Sequence, residues 1–174
     1  MERHISGSVH RGKTLGKYVA RRLRDCDVQD VFRLCHGNRL YYEYCPPMVT
    51  KESIKEDMLA LPPNIGQEDK FYIGFYDGKK LIAVLDLING YPEQGMAYIG
   101  FFMMDAAIQG RGVGSEIISG LCESLKRAGF TSVRLAWVKG NPQAEHFWLK
   151  NLFVALKETT GNVPGTVILA ERTL

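Results

Sequence analysis

The segment Gln109-Gly110-Arg111-Gly112-Val113-Gly114 constrains this chain more than any other. An apolar run that ends near Met104 precedes it, and a strongly periodic stretch follows. Val113, Ile117, Ile118, Leu121, Cys122 and Leu125 form one stripe, with Glu116, Glu123 and Lys126 opposite. That spacing predicts an amphipathic helix from Val113 to Ala128, ended by Gly129. A strand, a glycine-rich turn and a helix start make an anion site. The glycines admit left-handed backbone and close approach of a ligand. The first N–H groups of the helix have no partner inside it, and the helix dipole favours negative charge there. Arg111 adds a positive side chain. The dinucleotide fingerprint G-x-G-x-x-G is not met, because Ser115 holds the third glycine position.

Around this segment the pattern alternates between strands and helices. Tyr18–Leu23 reads as a strand. A helix follows with Val28, Val31, Phe32 and Cys35 inward, ended by Gly37. Leu40–Cys45 is an aromatic segment closed by Pro46 and Pro47. Thr50 caps a helix that buries Ile54, Met58 and Leu61 and stops at Pro62 and Pro63. Strands are expected over Phe71–Tyr76, Leu81–Ile88 and Met96–Met104, the first two joined through Asp77-Gly78 as a tight hairpin. Ser132–Val138 is a further strand. Asn141 followed by Pro142 is a helix start, and Phe153–Thr159 and Thr166–Thr173 close the chain as strands. The seven strands alternate with helices in a way that suits a mixed α/β sheet with helices packed on it. Hairpin links upstream of Gln109 argue against a doubly wound parallel sheet.

With 174 residues, 45% hydrophobic and 24% charged, the chain suits one soluble domain with its own core. Residues 1–16 carry few apolar side chains and are expected to be a flexible tail, leaving 17–174 as the domain. The net charge of +3 is too small to argue for nucleic acid. No apolar run is long enough to span a bilayer. No export signal is seen, which leads to an expectation of cytoplasmic location. Cys26, Cys35, Cys45 and Cys122 form no metal-binding spacing and are expected as reduced thiols, with no metal.

A second glycine motif competes. Gly7 to Thr14 matches G-x-x-x-x-G-K-[ST], a phosphate-loop pattern, and Leu81–Asp86 resembles an apolar strand ending in a magnesium-binding Asp. Such a loop must hang between a buried strand and a long helix. Six mostly polar residues precede Gly7, and Gly16 follows Thr14 almost at once. A P-loop nucleotide-binding protein is therefore the weaker alternative.

The pattern Q-x-x-G-x-G between strand and helix resembles motif A of the GCN5-related N-acetyltransferase (GNAT) superfamily. Asn141, Ala144, the aromatic pair Phe147 and Trp148, Lys150 and Phe153 resemble its second signature. LYYEYCPP, LIAVLDLI, YIGFFMM and VKGNPQA resemble one bacterial acetyltransferase branch. The resemblance covers about residues 18–174. It implies a mostly antiparallel sheet of about seven strands, helices on both faces, and a splay between its fourth and fifth strands. It also implies acetyl-CoA as cosubstrate. Gln109, Gly110, Arg111, Gly112, Val113, Gly114 and Ser115 would hold the pyrophosphate. Phe102, Met103 and Met104 would pair with the pantetheine arm, Asn141 would meet the arm or the acetyl end, and Phe147 and Trp148 would line the pocket. A homodimer is common in that superfamily.

The implied reaction is acetyl transfer to a primary amine, on a small molecule, by direct attack in a ternary complex. Placement and a donor aimed at the developing charge carry most of it, and the amine must lose a proton. Tyr98 stands where many relatives place a Glu base, and an unperturbed phenol, with a pKa of about 10, is a poor base. Trp148 stands where many place a Tyr acid, and Leu152 replaces the customary Gly before Phe153. Glu43 and Asp86 are the other candidate bases. Tyr41, Tyr42, Tyr44 and Tyr91 are candidates for an acceptor pocket. The remaining alternative is an acyl-CoA sensor or interaction module without catalysis.

Overall fold

The computed structural model describes residues 13–174. In chain order its elements are β1 (Lys13–Leu15), β2 (Tyr18–Arg22), α1 (Val28–His36), α2 (Arg39–Tyr44), α3 (Lys51–Leu59), β3 (Lys70–Asp77), β4 (Lys80–Asn89), β5 (Met96–Met104), α4 (Val113–Arg127), β6 (Ser132–Val138), α5 (Pro142–Lys150), β7 (Val154–Thr160) and β8 (Thr166–Thr173). They build one sheet in the order β1-β2-β3-β4-β5-β6-β8-β7. Every neighbouring pair is antiparallel except β5 and β6, which run parallel.

β3 and β4 are buried along nearly their whole length, as central strands covered on both faces must be. Phe71, Ile73 and Phe75 of β3 join Ile117, Ile118, Leu121 and Leu125 of α4 in one cluster. Tyr72 and Tyr76 point the other way, to Val31 and Leu34 of α1 and Ile54 of α3. The period of two thus splits the core between two faces.

The feature that shapes the site is an irregularity in β5. Asp86 pairs with Phe101, but Leu87 pairs with Ile99, so Gly100 is an extra residue, a β-bulge. The bulge switches faces. Ala97 and Ile99 belong to the α4 cluster before it, and Phe102 and Met104 after it, while Phe101 and Met103 turn to the α1 side. The parallel pairing of β5 with β6 covers only Met96–Ile99 against Ser132–Leu135. Beyond Gly100 the two strands part, as the resemblance implied.

Four expectations change. Lys13–Leu15 is a strand paired with β2, so the folded part begins inside the segment read as a tail. The rest of that tail, and Gly7 to Gly12 of the phosphate-loop motif, lie outside the described residues. Thr14 continues into β1 instead of opening a helix, which removes the context that motif needs. Leu40–Cys45 contributes to a helix, α2, beside the cleft. Finally, α3 ends at Leu59, two residues short of Leu61, as the Pro62-Pro63 pair forces extended backbone ahead of it.

Candidate functional site

The glycine-rich turn is built from its flanks. Asp105 caps a short 3-10 turn by accepting from the Ala107 N–H at 2.9 Å, and Lys80 pairs with it at 2.6 Å. Gly110 and Gly112 then adopt φ of 75° and 81°, a left-handed backbone that only glycine takes without strain. A Cβ built at either would meet nothing within 4 Å, so both backbones face open space. Gly114 is different: its Cβ would lie 3.1 Å from Phe147 Cε2, so its role is to let α4 pack against α5. Glu116 N–H donates to Gly112 O at 3.0 Å, the first bond of α4. Among the described residues, no carbonyl or side chain accepts from the amides of Gly110 to Ser115. These donors sit at the positive end of a 15-residue helix.

Gln109 locks the turn in place. Its Nε2 donates to Asn38 Oδ1 at 2.6 Å and to Met104 O at 3.3 Å, and its Oε1 accepts from Gln143 at 3.1 Å. Asn38, buried at the end of α1, also donates to Met104 O at 2.9 Å. Ser115 Oγ accepts from Asn151 at 3.1 Å. Asn141 caps α5, its Oδ1 accepting from Ala144 N–H at 3.2 Å.

The parting strands open a cleft of about 1110 Å³. Gln109, Gly110, Gly112, Gly114 and Ser115 line one end, with Phe102, Met103, Met104, Asn141, Phe147 and Trp148 along its flank. Phe102 stacks on Phe147 with centroids 5.8 Å apart, and Phe147 meets Trp148 edge-on at 4.9 Å. Arg111 is exposed and Val113 packs on the core, and neither lines the cleft.

The other end is aromatic. Tyr41, Tyr91, Tyr98 and Phe101 line it, together with Leu61, Pro62, Pro63 and Ile88. Tyr41 meets Phe101 edge-on at 5.7 Å, and Tyr91 meets Tyr98 at 5.4 Å. Helix formation in α2 separates its tyrosines by about 100° per residue. Tyr41 and Tyr42 both pack on the α1 cluster, but of the two only Tyr41 also lines the cleft, and Tyr44 is off the wall. Glu43 is exposed and is not among the cleft-lining residues.

Asp86 is the only carboxylate among the cleft-lining residues described. It is 8% exposed, its Oδ2 accepts from Lys70 Nζ at 2.9 Å, and its Oδ1 has no partner. The side chain lies directly over the bulge, where a Cβ on Gly100 would come within 2.9 Å of Oδ2. Burial pushes the Asp86 carboxyl above the ordinary carboxylate range, with the Lys70 ammonium working against that shift. Burial likewise pushes the Tyr98 phenol upward, and the neighbouring Tyr91 adds to the effect. Tyr98 thus lines the cleft beside Tyr91.

Sequence reasoning missed Lys70, Gly100, Asn38 and Gln143. A lysine opening an apolar strand and a glycine inside one are signals of a buried partner and a bulge. Asn38 and Gln143 carried no such signal. Among the described residues no group of three His, Cys, Asp or Glu side chains is placed to hold a metal, and no helix is long and apolar enough to cross a membrane.

The model of the acetyltransferase (GNAT) family matches residues 33–152. Among curated proteins, none matches the chain in sequence. An acetyltransferase from Thermus thermophilus superposes with a TM-score of 0.76 at 19% identity, covering 93% of this chain and 100% of that one. AAC(6')-Ib, in complex with paromomycin and acetyl-CoA, gives 0.70 at 16% identity over 91% and 94%. A ribosomal-protein-S5-alanine acetyltransferase from Vibrio fischeri gives 0.67 at 18% over 92% and 95%.

Proposed function

The chain belongs to the acetyltransferase (GNAT) family, and from that premise we propose that it is an acetyl-CoA-dependent N-acetyltransferase whose acceptor is a primary amine on a small molecule. The observation that carries this reading is the row of unclaimed amides from Gly110 to Ser115, opening onto a cleft between diverging strands. Acetyl-CoA, when bound, would supply an activated acetyl thioester: within a ternary complex the neutral amine would form the C–N bond as the C–S bond breaks, and coenzyme A would leave as its thiol with the second proton of the amine.

The chain's own residues divide the work. The amides of Gly110 to Ser115 and the positive end of α4 hold the pyrophosphate, and Arg111 strengthens the field from outside. The edge of β5 beyond Gly100 has lost β6 as a neighbour. Along Phe102, Met103 and Met104 this edge can pair with the pantetheine amides as an added strand would, although the Met104 carbonyl is taken by Asn38 and Gln109. Phe147 and Trp148 wall the arm, and Asn141 supports them by fixing the start of α5. Asp86 receives the proton that the ammonium must lose before it can attack. Its raised affinity for a proton suits that task better than an ordinary carboxylate would, and Lys70 holds the side chain in position. The four free cysteines suit a reducing cytoplasm, the location this reading adopts.

The test is thiol release from acetyl-CoA in the presence of primary amines. Amine-dependent release supports the reading. Coenzyme binding without release on any amine would favour the sensor or interaction module, whose specific support is the absence of a Glu at Tyr98 and of a Tyr at Trp148.

A further inference from the structure

The acceptor end of the cleft is narrow in its chemistry. Its walls are the rings of Tyr41, Tyr91, Tyr98 and Phe101, with Pro62 and Pro63 beside them. Asp86 is the one carboxylate of the whole described lining. It already holds Lys70 through Oδ2, and Oδ1 still lacks a partner. A buried carboxylate oxygen without a donor is uncommon and marks a place for one. The cations nearby are taken. Lys70 belongs to Asp86, and Arg134, which also lines the cleft, belongs to Glu171. His146 and Lys150 lie on α5, on the coenzyme side with Phe147.

Resting on the acetyl-transfer reading, we propose that the acceptor is an aromatic or bulky apolar monoamine without a carboxylate, its body held among the tyrosines and its single ammonium directed to Asp86. Aromatic faces attract one cation and bury apolar surface. A polyamine or aminoglycoside carries several ammonium groups, and each one left in this end without a carboxylate would lose its hydration uncompensated. A free amino acid brings a carboxylate that finds no unpaired cation among the described residues lining that end.

The experiment measures kcat/KM at saturating acetyl-CoA for 2-phenylethylamine, phenylalanine, spermidine, kanamycin and an alanine-initiated peptide, with acetyl-CoA binding followed separately by calorimetry. The structure predicts that 2-phenylethylamine exceeds each of the others by about tenfold or more. It further predicts that Tyr91→Ala raises KM for 2-phenylethylamine about tenfold while acetyl-CoA affinity stays unchanged. Coenzyme binding with spermidine, kanamycin, phenylalanine or the peptide as the preferred acceptor overturns the inference and leaves acetyl transfer standing. Coenzyme binding without turnover of any amine, or no coenzyme binding, overturns the underlying reading instead.

Discussion

Asp86 and Leu152 are the two residues whose surroundings set the sharpest expectations. Asp86 is buried beside Lys70, and breaking such a pair on one side leaves an uncompensated charge that costs about 3–5 kcal/mol. The informative change is therefore the double substitution Asp86→Asn with Lys70→Gln, which removes both charges and keeps a hydrogen-bonding pair. It should lower kcat/KM by about 10²–10⁴-fold while acetyl-CoA affinity is retained. As the proposed base, Asp86 must be ionised to accept a proton in the unsubstituted protein. Its folded-state pKa is raised above 3.8, so kcat/KM should climb with pH through an apparent pKa above the ordinary carboxylate range, and the double variant should lose that limb. The sign for stability is opposite. A carboxyl with a raised folded pKa favours folding below its unfolded value and loses that contribution as pH rises through the folded one. Leu152 stands where the resembling superfamily has glycine, and it takes a left-handed φ of 67° while 67% exposed. The turn therefore keeps a glycine-like backbone with a leucine in it. Holding a non-glycine residue there costs about 1–3 kcal/mol. Leu152→Gly should raise the melting temperature by a few degrees, about 2–4 °C per kcal/mol for a chain of this size, and an unchanged or lower value would count against the strain.

At the level of elements, the bulge in β5 does the positioning. Gly100 lets Asp86 lie across the strand, and the face switch after it sends Phe101 to Tyr41 and Phe102 to Phe147. Gly100→Ala puts a methyl 2.9 Å from Asp86 Oδ2. It should destabilise the protein by about 1–3 kcal/mol and reduce turnover more than it reduces coenzyme affinity, as chemical denaturation and steady-state kinetics would read. The elements differ in how plainly the sequence announced them. α4 was legible from six apolar positions on one stripe, α3 from its Thr50 cap, and α5 from Asn141-Pro142, because caps and periodicity are local. α2 was not legible as a helix, since Leu40–Tyr44 is rich in aromatics that favour strands in isolation. That missed helix is also why Tyr41 and Tyr42 could not be told apart beforehand. The Lys70–Asp86 pair depends on the β3–β4 register, which matches Tyr72 with Asp86 and brings Lys70 alongside. No local signal fixes that register.

Across the whole molecule, one decision organises everything else: the sheet parts after Ile99 and Leu135 instead of pairing to its end. The glycine-rich turn, the freed strand edge and the aromatic end all face the space that results. The turn itself was legible in Gln109 to Gly114. Its locking by Asn38 and Gln143 was not, because those contacts join segments 71 and 34 residues away. Calorimetric titration with acetyl-CoA, run on the unsubstituted protein and on Gly112→Val, tests the central claim most directly. Gly112 has a φ of 81°, which a β-branched residue adopts only under strain of about 1–3 kcal/mol. Saturable one-to-one binding is expected, weakened by the substitution about 10- to 100-fold. Absence of binding at millimolar acetyl-CoA, or equal affinity in the two proteins, would contradict it.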